Sequence, residues 1–143
     1  MVESLLSNPA MNLLERVAAF GERRHEVLAG NIANIETPNY RMRDLPVEQF
    51  HKALREAVQR HRAARTESAS QSETAADVDD DFSSDLLQAA PAEPQNITFQ
   101  DANNRSLELQ VMEMTKNSMM QSFALELIRF QLNSLQSVIS ERP

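Results

Sequence analysis

The feature that most restricts the fold is a run of apolar and small positions near the end of the chain. Leu107, Val111, Met114, Ser118, Gln121, Leu125, Ile128, Leu132, Leu135 and Ile139 follow one another in alternating steps of four and three. A 3.5-residue period sustained for more than four heptads is the pattern of a helix presenting one seam to a neighbour. It predicts a single helix from Asn104 to Ser140, about 50–55 Å long at 1.5 Å per residue. Asn103, Asn104 and Ser106 are available as N-caps. Met112, Met119, Leu127 and Val138 widen the stripe, so such a helix needs more cover than one partner helix supplies. Packing against copies of the same chain, or against related chains, is expected.

A second helix of the same kind is predicted near the start. Asn8 is a suitable cap and Pro9 suits the first helical position, where a missing N–H costs nothing. Leu14, Val17, Gly21, Leu28 and Ile35 form its stripe, with Arg24 and Asn31 filling the same line. The helix should stop before Thr37-Pro38, because the residue preceding a proline is pushed out of helical geometry. A shorter helix is predicted from Pro46 to about Ala64, with Phe50, Leu54, Ala57 and Val58 on its apolar side. The best strand candidate, Asn96-Ile97-Thr98-Phe99, is too short and isolated to build a sheet. The expected fold class is all-α: terminal helices forming an elongated coiled-coil pair, a short middle helix and a long disordered acidic linker. The segments are 1–45, 46–65, 66–100 and 101–143.

The linker is read from charge. Of the net charge of −7 over 143 residues, the stretch Thr66 to Glu93 carries eight Asp and Glu with no Lys or Arg. Unopposed charge and low hydrophobicity do not offset the entropy of ordering. Phe82, Leu86 and Leu87 are its apolar cluster, expected to form a transient local helix rather than a docking turn. Lys52, Arg55, Arg60, Arg62 and Arg65 precede it, opposed only by Glu56. No aromatic residue interleaves them as a stacking platform would require, so they read as a solvated helix face. The acidic balance argues against general nucleic-acid binding.

No catalytic constellation is visible. The chain has no Cys and only 2 Gly, which rules out thiol chemistry, Cys-ligated zinc and a glycine-rich phosphate loop. His25, His51 and His61 lack metal-ligand spacing and read as surface residues. Met112, Met114, Met119 and Met120 read as adaptable packing rather than a soft-metal site. No cofactor, metal or small-molecule substrate is expected, and the chain does not read as an enzyme. No apolar run approaches the ~20 residues of a membrane span, and no cleavable signal peptide is expected.

The most distinctive segment is Leu28-Ala29-Gly30-Asn31-Ile32-Ala33-Asn34-Ile35-Glu36-Thr37-Pro38-Asn39-Tyr40. Asn31 lies on the seam, where a buried amide fixes register, and Asn34 follows one turn on. Thr37-Pro38-Asn39-Tyr40 reads as a turn, with Pro preset for its second position and Asn tolerant of positive φ at its third. By physics alone, register control and helix capping are equal readings. Asn31, Ile32, Ala33, Asn34, Thr37, Pro38 and Tyr40 resemble the N-terminal signature of the bacterial flagellar axial family, which comprises rod, hook and hook-associated proteins. Arg41-Met42-Arg43-Asp44-Leu45 and the later Asp101-Ala102-Asn103-Asn104-Arg105-Ser106-Leu107-Glu108 are similar to the proximal-rod members, and Asn117 falls where their last helix carries an Asn. Asn39 stands where a Gly is usual, and Ala102 and Arg105 stand where Gly and Val are usual.

The resemblance implies a structural subunit of the proximal rod, exported through the flagellar type III apparatus without a cleaved signal. It would join other subunits in the periplasm to form a tubular drive shaft. The implied partners are other copies of the chain, the sister rod protein FlgC, the export-gate adaptor FliE and the MS ring. The assembly seam would comprise Leu14, Val17 and Leu28 together with Leu107, Val111, Met114, Leu125, Ile128, Leu132, Leu135 and Ile139. Without the resemblance, the residues support a non-enzymatic helical coiled-coil adaptor.

Overall fold

The computed structural model describes residues 9–67, 82–92 and 106–140. The fold is all-α apart from one very short strand pair. Helix α1 spans Pro9–Ala33, strand β1 Arg43–Asp44 and helix α2 Val47–Glu67. A 3-10 turn at Ser84–Leu87, strand β2 at Ala90–Pro91 and helix α3 at Leu107–Ser140 complete it. At 1.5 Å per residue, α1 is about 37 Å long and α3 about 50 Å. The two pack side by side and antiparallel: Asn31 meets Gln110, Arg24 meets Glu113, and Gly21 meets Asn117.

The helix ends follow local chemistry. α1 begins at Pro9 and stops at Ala33, two residues short of the stripe read from the sequence. The Asn34 side chain takes over there, its Nδ2 donating to the Gly30 carbonyl at 2.9 Å, so a side-chain cap replaces another helical turn. Asn39 has φ 60°, and the Tyr40 N–H donates to the Thr37 carbonyl at 3.3 Å. This is the four-residue turn expected of Thr-Pro-Asn-Tyr, with Asn in the left-handed position. α3 begins at Leu107 rather than Asn104, capped by Ser106, whose Oγ accepts from the Leu109 N–H at 3.3 Å. Asn8, Asn103, Asn104 and the strand candidate 96–99 lie outside the described residues.

The core sits where all the elements meet. Val17, Phe20, Leu45, Phe50, Leu86 and Ala124 form one buried cluster. The Phe20 and Phe50 rings stack with centroids 3.9 Å apart and planes 9° apart, which fastens α2 to α1. Phe50 lies on the side of α2 expected from its spacing, as does the buried Ala57.

Three expectations need correction. First, residues 82–92 of the acidic segment are docked. Phe82 packs 5.7 Å from Phe50 with the Arg16 guanidinium 5.8 Å from its ring centroid, and Leu86 is buried. A few apolar anchors with a waiting pocket offset the ordering cost that average composition predicts to be prohibitive. The docking turn, not the transient helix, is the observed form. Second, a strand pair exists: β1 and β2 are antiparallel, with Arg43 opposite Pro91 and Asp44 opposite Ala90. Third, the face of α3 turned toward its own chain is not the apolar seam. It runs through Ser106, Gln110, Glu113, Asn117, Met120, Ala124, Leu127 and Gln131, all buried or half-buried. This line has the same four-three spacing, displaced by one residue.

Candidate functional site

Close approach dictates that displacement. A Cβ added to Gly21 would lie 3.2 Å from Gln121 Cβ, so the two backbones come together where α1 has no side chain. Small and polar residues of α3 fit such a crossing, and bulky ones are turned aside. Asn117, 1% exposed, donates from Nδ2 to the Gly21 carbonyl at 2.7 Å. Its Oδ1 is buried with no hydrogen-bond partner.

Nearer the turn, α1 carries two buried polar residues that organise everything around them. The Arg24 guanidinium grips Asp44 through Nε–Oδ1 and Nη2–Oδ2 contacts of 2.9 and 2.8 Å, and its Nη2 reaches Glu113 Oε2 at 3.0 Å. One side chain thus ties α1, β1 and α3 together in a bidentate geometry that lysine lacks. Burial alone lowers the Arg24 pKa, but the two carboxylates outweigh it and hold the guanidinium above its usual value.

Asn31 does the same with neutral bonds. Its Nδ2 donates to the Arg43 carbonyl at 2.6 Å and to Gln110 Oε1 at 3.4 Å. Its Oδ1 accepts from the Arg43 N–H at 3.0 Å and from the Tyr40 hydroxyl at 3.4 Å. The amide therefore mimics a strand partner for Arg43, and Tyr40 closes over it. A cleft of about 570 Å³ opens beside this junction, lined in part by Arg43, Glu48, Gln49, Pro91 and Leu109. The junction's polar groups satisfy one another, so the arrangement is suited to fixing geometry.

Burial disfavours the Glu113 carboxylate, but hydrogen bonds and charge from Lys116 and Arg24 outweigh it, and its pKa lies below the ordinary glutamate range. A carboxyl depressed in the folded state contributes stability that is present above its unfolded value of ~4.3 and is lost as pH falls through the folded value. The urea midpoint of the wild-type chain should therefore fall between pH 6 and pH 3.5 by more than that of Glu113→Gln, which has no such group to protonate. Equal slopes would mean the Arg24–Glu113 contact carries no stability.

The signature residues divide between these tasks. Asn31 and Tyr40 belong to the junction, Asn34 caps α1, and Thr37, Pro38 and Asn39 form the exposed turn, with the Thr37 hydroxyl donating to Asn34 Oδ1 at 3.5 Å. Ile32 is half-buried and Ala33 exposed. Asn31 makes buried bonds to Arg43 and Gln110, and Asn34 caps α1, so the two tasks fall on different asparagines. Of the other residues singled out, Val17 and Leu28 are buried and Leu14 is half-buried against the core. On α3, Met114, Ile128 and Leu135 are half-buried, whereas Leu107, Val111, Leu125, Leu132 and Ile139 are exposed. Ser118 is exposed and Gln121 half-buried over Gly21. His25 is exposed, whereas His51 and His61 are half-buried, His51 lying edge-on to Phe50.

Sequence reasoning missed Asp44, Gln110 and Glu113 as partners of the α1 polar pair. It also missed Phe123 and Phe130, which are 67% and 70% exposed. With Met112 and Met119 they form a large uncovered surface on α3. Among the described residues, no group of three or more His, Asp or Glu could hold a metal ion, and no helix is long and apolar enough to cross a membrane.

The chain is similar to the flagellar basal body rod protein FlgB of Aquifex aeolicus (strain VF5), with 51% identity over 35 residues. The chain is FlgB-like over that stretch. The match covers 24% of this chain and 28% of the relative, so the likeness is local. No protein-family model matches.

Proposed function

We propose that this chain is a structural subunit of the bacterial flagellar basal-body rod, of the FlgB kind, assembling through its terminal helices into the proximal drive shaft. The observation that carries this reading is the α1–α3 pair itself: two long antiparallel helices, fastened by polar contacts, that leave large apolar residues of α3 uncovered. A soluble monomer rarely exposes a continuous apolar patch above a few hundred Å², and neighbouring subunits are the natural cover. The likeness to a rod protein and the Asn31–Tyr40 signature support the same conclusion. In this role the chain reaches the periplasm through the flagellar type III apparatus. It packs against its own copies and FlgC, and meets FliE and the MS ring at the base. Stiffness comes from helices laid side by side, and torque passes along them.

The test is complementation of a deletion strain. Wild-type chain should restore swimming and appear in purified hook–basal bodies by mass spectrometry. Phe123→Asp should keep wild-type helicity by circular dichroism, because the side chain is exposed, yet restore neither. A deletion strain that swims normally, or basal bodies that lack the chain, would overturn the reading in favour of a helical adaptor acting elsewhere.

A further inference from the structure

Beyond the face it turns to its own chain, α3 carries two exposed apolar stripes, as its small charge count suggests. At about 100° per residue, its own-chain face is centred on Gln110, Asn117 and Ala124. Met112, Met119, Phe123 and Phe130 form a second stripe roughly 140° away on one side. Leu107, Val111, Leu125 and Leu132 form a third, roughly 85° away on the other. The two outer stripes are thus about 135° apart, too far around the cylinder for one helix of about 10 Å diameter to cover both. A helix with two apolar stripes outside the face its own chain covers needs more than one further neighbour.

We propose that the Met112–Phe130 stripe of one copy receives the Leu107–Leu132 stripe of the next, the two α3 helices running parallel. This rests on the rod-subunit reading and names the surfaces that perform it. Charge selects the pairing. Glu108 and Glu126 flank the Met/Phe stripe, and Arg129 flanks the Leu/Val stripe. Within one chain Arg129 and Glu126 make only a loose 3.6 Å pair, with both side chains about three-quarters exposed. Stripe on unlike stripe brings Arg129 of one copy to the Glu126 flank of its neighbour. Stripe on like stripe, in the same parallel sense, puts the equivalent Glu126 or Arg129 side chains on opposite flanks of the contact, so neither charge gains an opposite partner there. With aromatic side chains burying ~150–250 Å² each, the two stripes together expose on the order of 800 Å²; one contact buries one stripe from each copy, about half a standard interface, and each copy within a row makes two such contacts. A contact between unlike surfaces does not close on itself as a two-fold dimer does, so copies add in a row.

The absence of Cys in the chain makes the test clean. Full-length Phe123→Cys and Leu125→Cys chains, tagged to differ in size, are concentrated separately and together and exposed to a short bis-maleimide. The mixture should give the hetero-linked product as its main species, several-fold above either chain alone. Glu126→Arg introduced into both chains should cut that product several-fold, and adding Arg129→Glu to both should restore it. Dominant linkage of either chain to itself would overturn the proposal in favour of a two-fold contact. Wild-type assembly without hetero-linkage would overturn it and leave the rod reading standing. A chain that stays monomeric at every concentration, with or without the other rod proteins, would overturn both.

Discussion

Phe20→Ala is expected to lower the unfolding free energy by about 3–5 kcal/mol, the range for deleting a fully buried aromatic side chain. Phe20 is 0% exposed, and its ring is stacked on Phe50. The cavity could not collapse easily, because Val17, Leu45, Leu86 and Ala124 approach it from α1 itself, the loop after α1, the 3-10 turn and α3. For a chain of this size the loss is a large share of total stability, so the variant should be mostly unfolded or molten at physiological temperature. Urea denaturation followed by circular dichroism reads it directly. A loss below about 1 kcal/mol would mean that the Phe20–Phe50 stack does not hold α2 to the α1–α3 pair.

Arg24→Ala should cost about 2–3 kcal/mol. Removing one partner of a fully buried ion pair costs about 3–5, but Asp44 and Glu113 keep 29% and 28% side-chain exposure, so water screens what remains. The loss comes mainly from leaving two carboxylates close together without their shared cation. Adding Glu113→Gln to Arg24→Ala should therefore recover part of the stability, although it removes another native group. Two losses that simply add would show that the three side chains do not act as one unit.

These two sites differ in how far the sequence disclosed them. The α1 stripe was legible because its members, Val17, Gly21, Arg24, Leu28 and Asn31, all turn toward the interior, polar ones included. The turn Thr37–Tyr40 was legible because Pro38 and Asn39 each have one strong backbone preference. The lateral position of α3 was not. Periodicity finds the most apolar line on a helix, whereas the line facing α1 was selected by the close approach at Gly21 and by partners for Arg24 and Asn31. The signal was nevertheless present. A guanidinium and an amide on a buried stripe require acceptors, and Glu113 and Gln110 stand one residue off the apolar line. Phe82 and Leu86 were visible as an apolar cluster, but the acidic average of residues 66–93 weighed toward a transient helix and against the docking that two anchors one helical turn apart achieve. The strand candidate 96–99 and the resemblance at residues 101–105 fall outside the described residues.

Among the described residues, the polar fastenings between α1 and α3 described above lie toward one end. Gln110, Glu113 and Asn117 hold the first third of α3, and beyond Ala124 no buried residue follows, with Val138 and Ile139 64% and 62% exposed. α1 stays packed to its first turn, with Met11 and Leu13 buried, whereas the last turns of α3 run on exposed. The exposed end of α3 can adjust to whatever packs on it without disturbing the Arg24 knot, so one chain can accommodate slightly different surroundings.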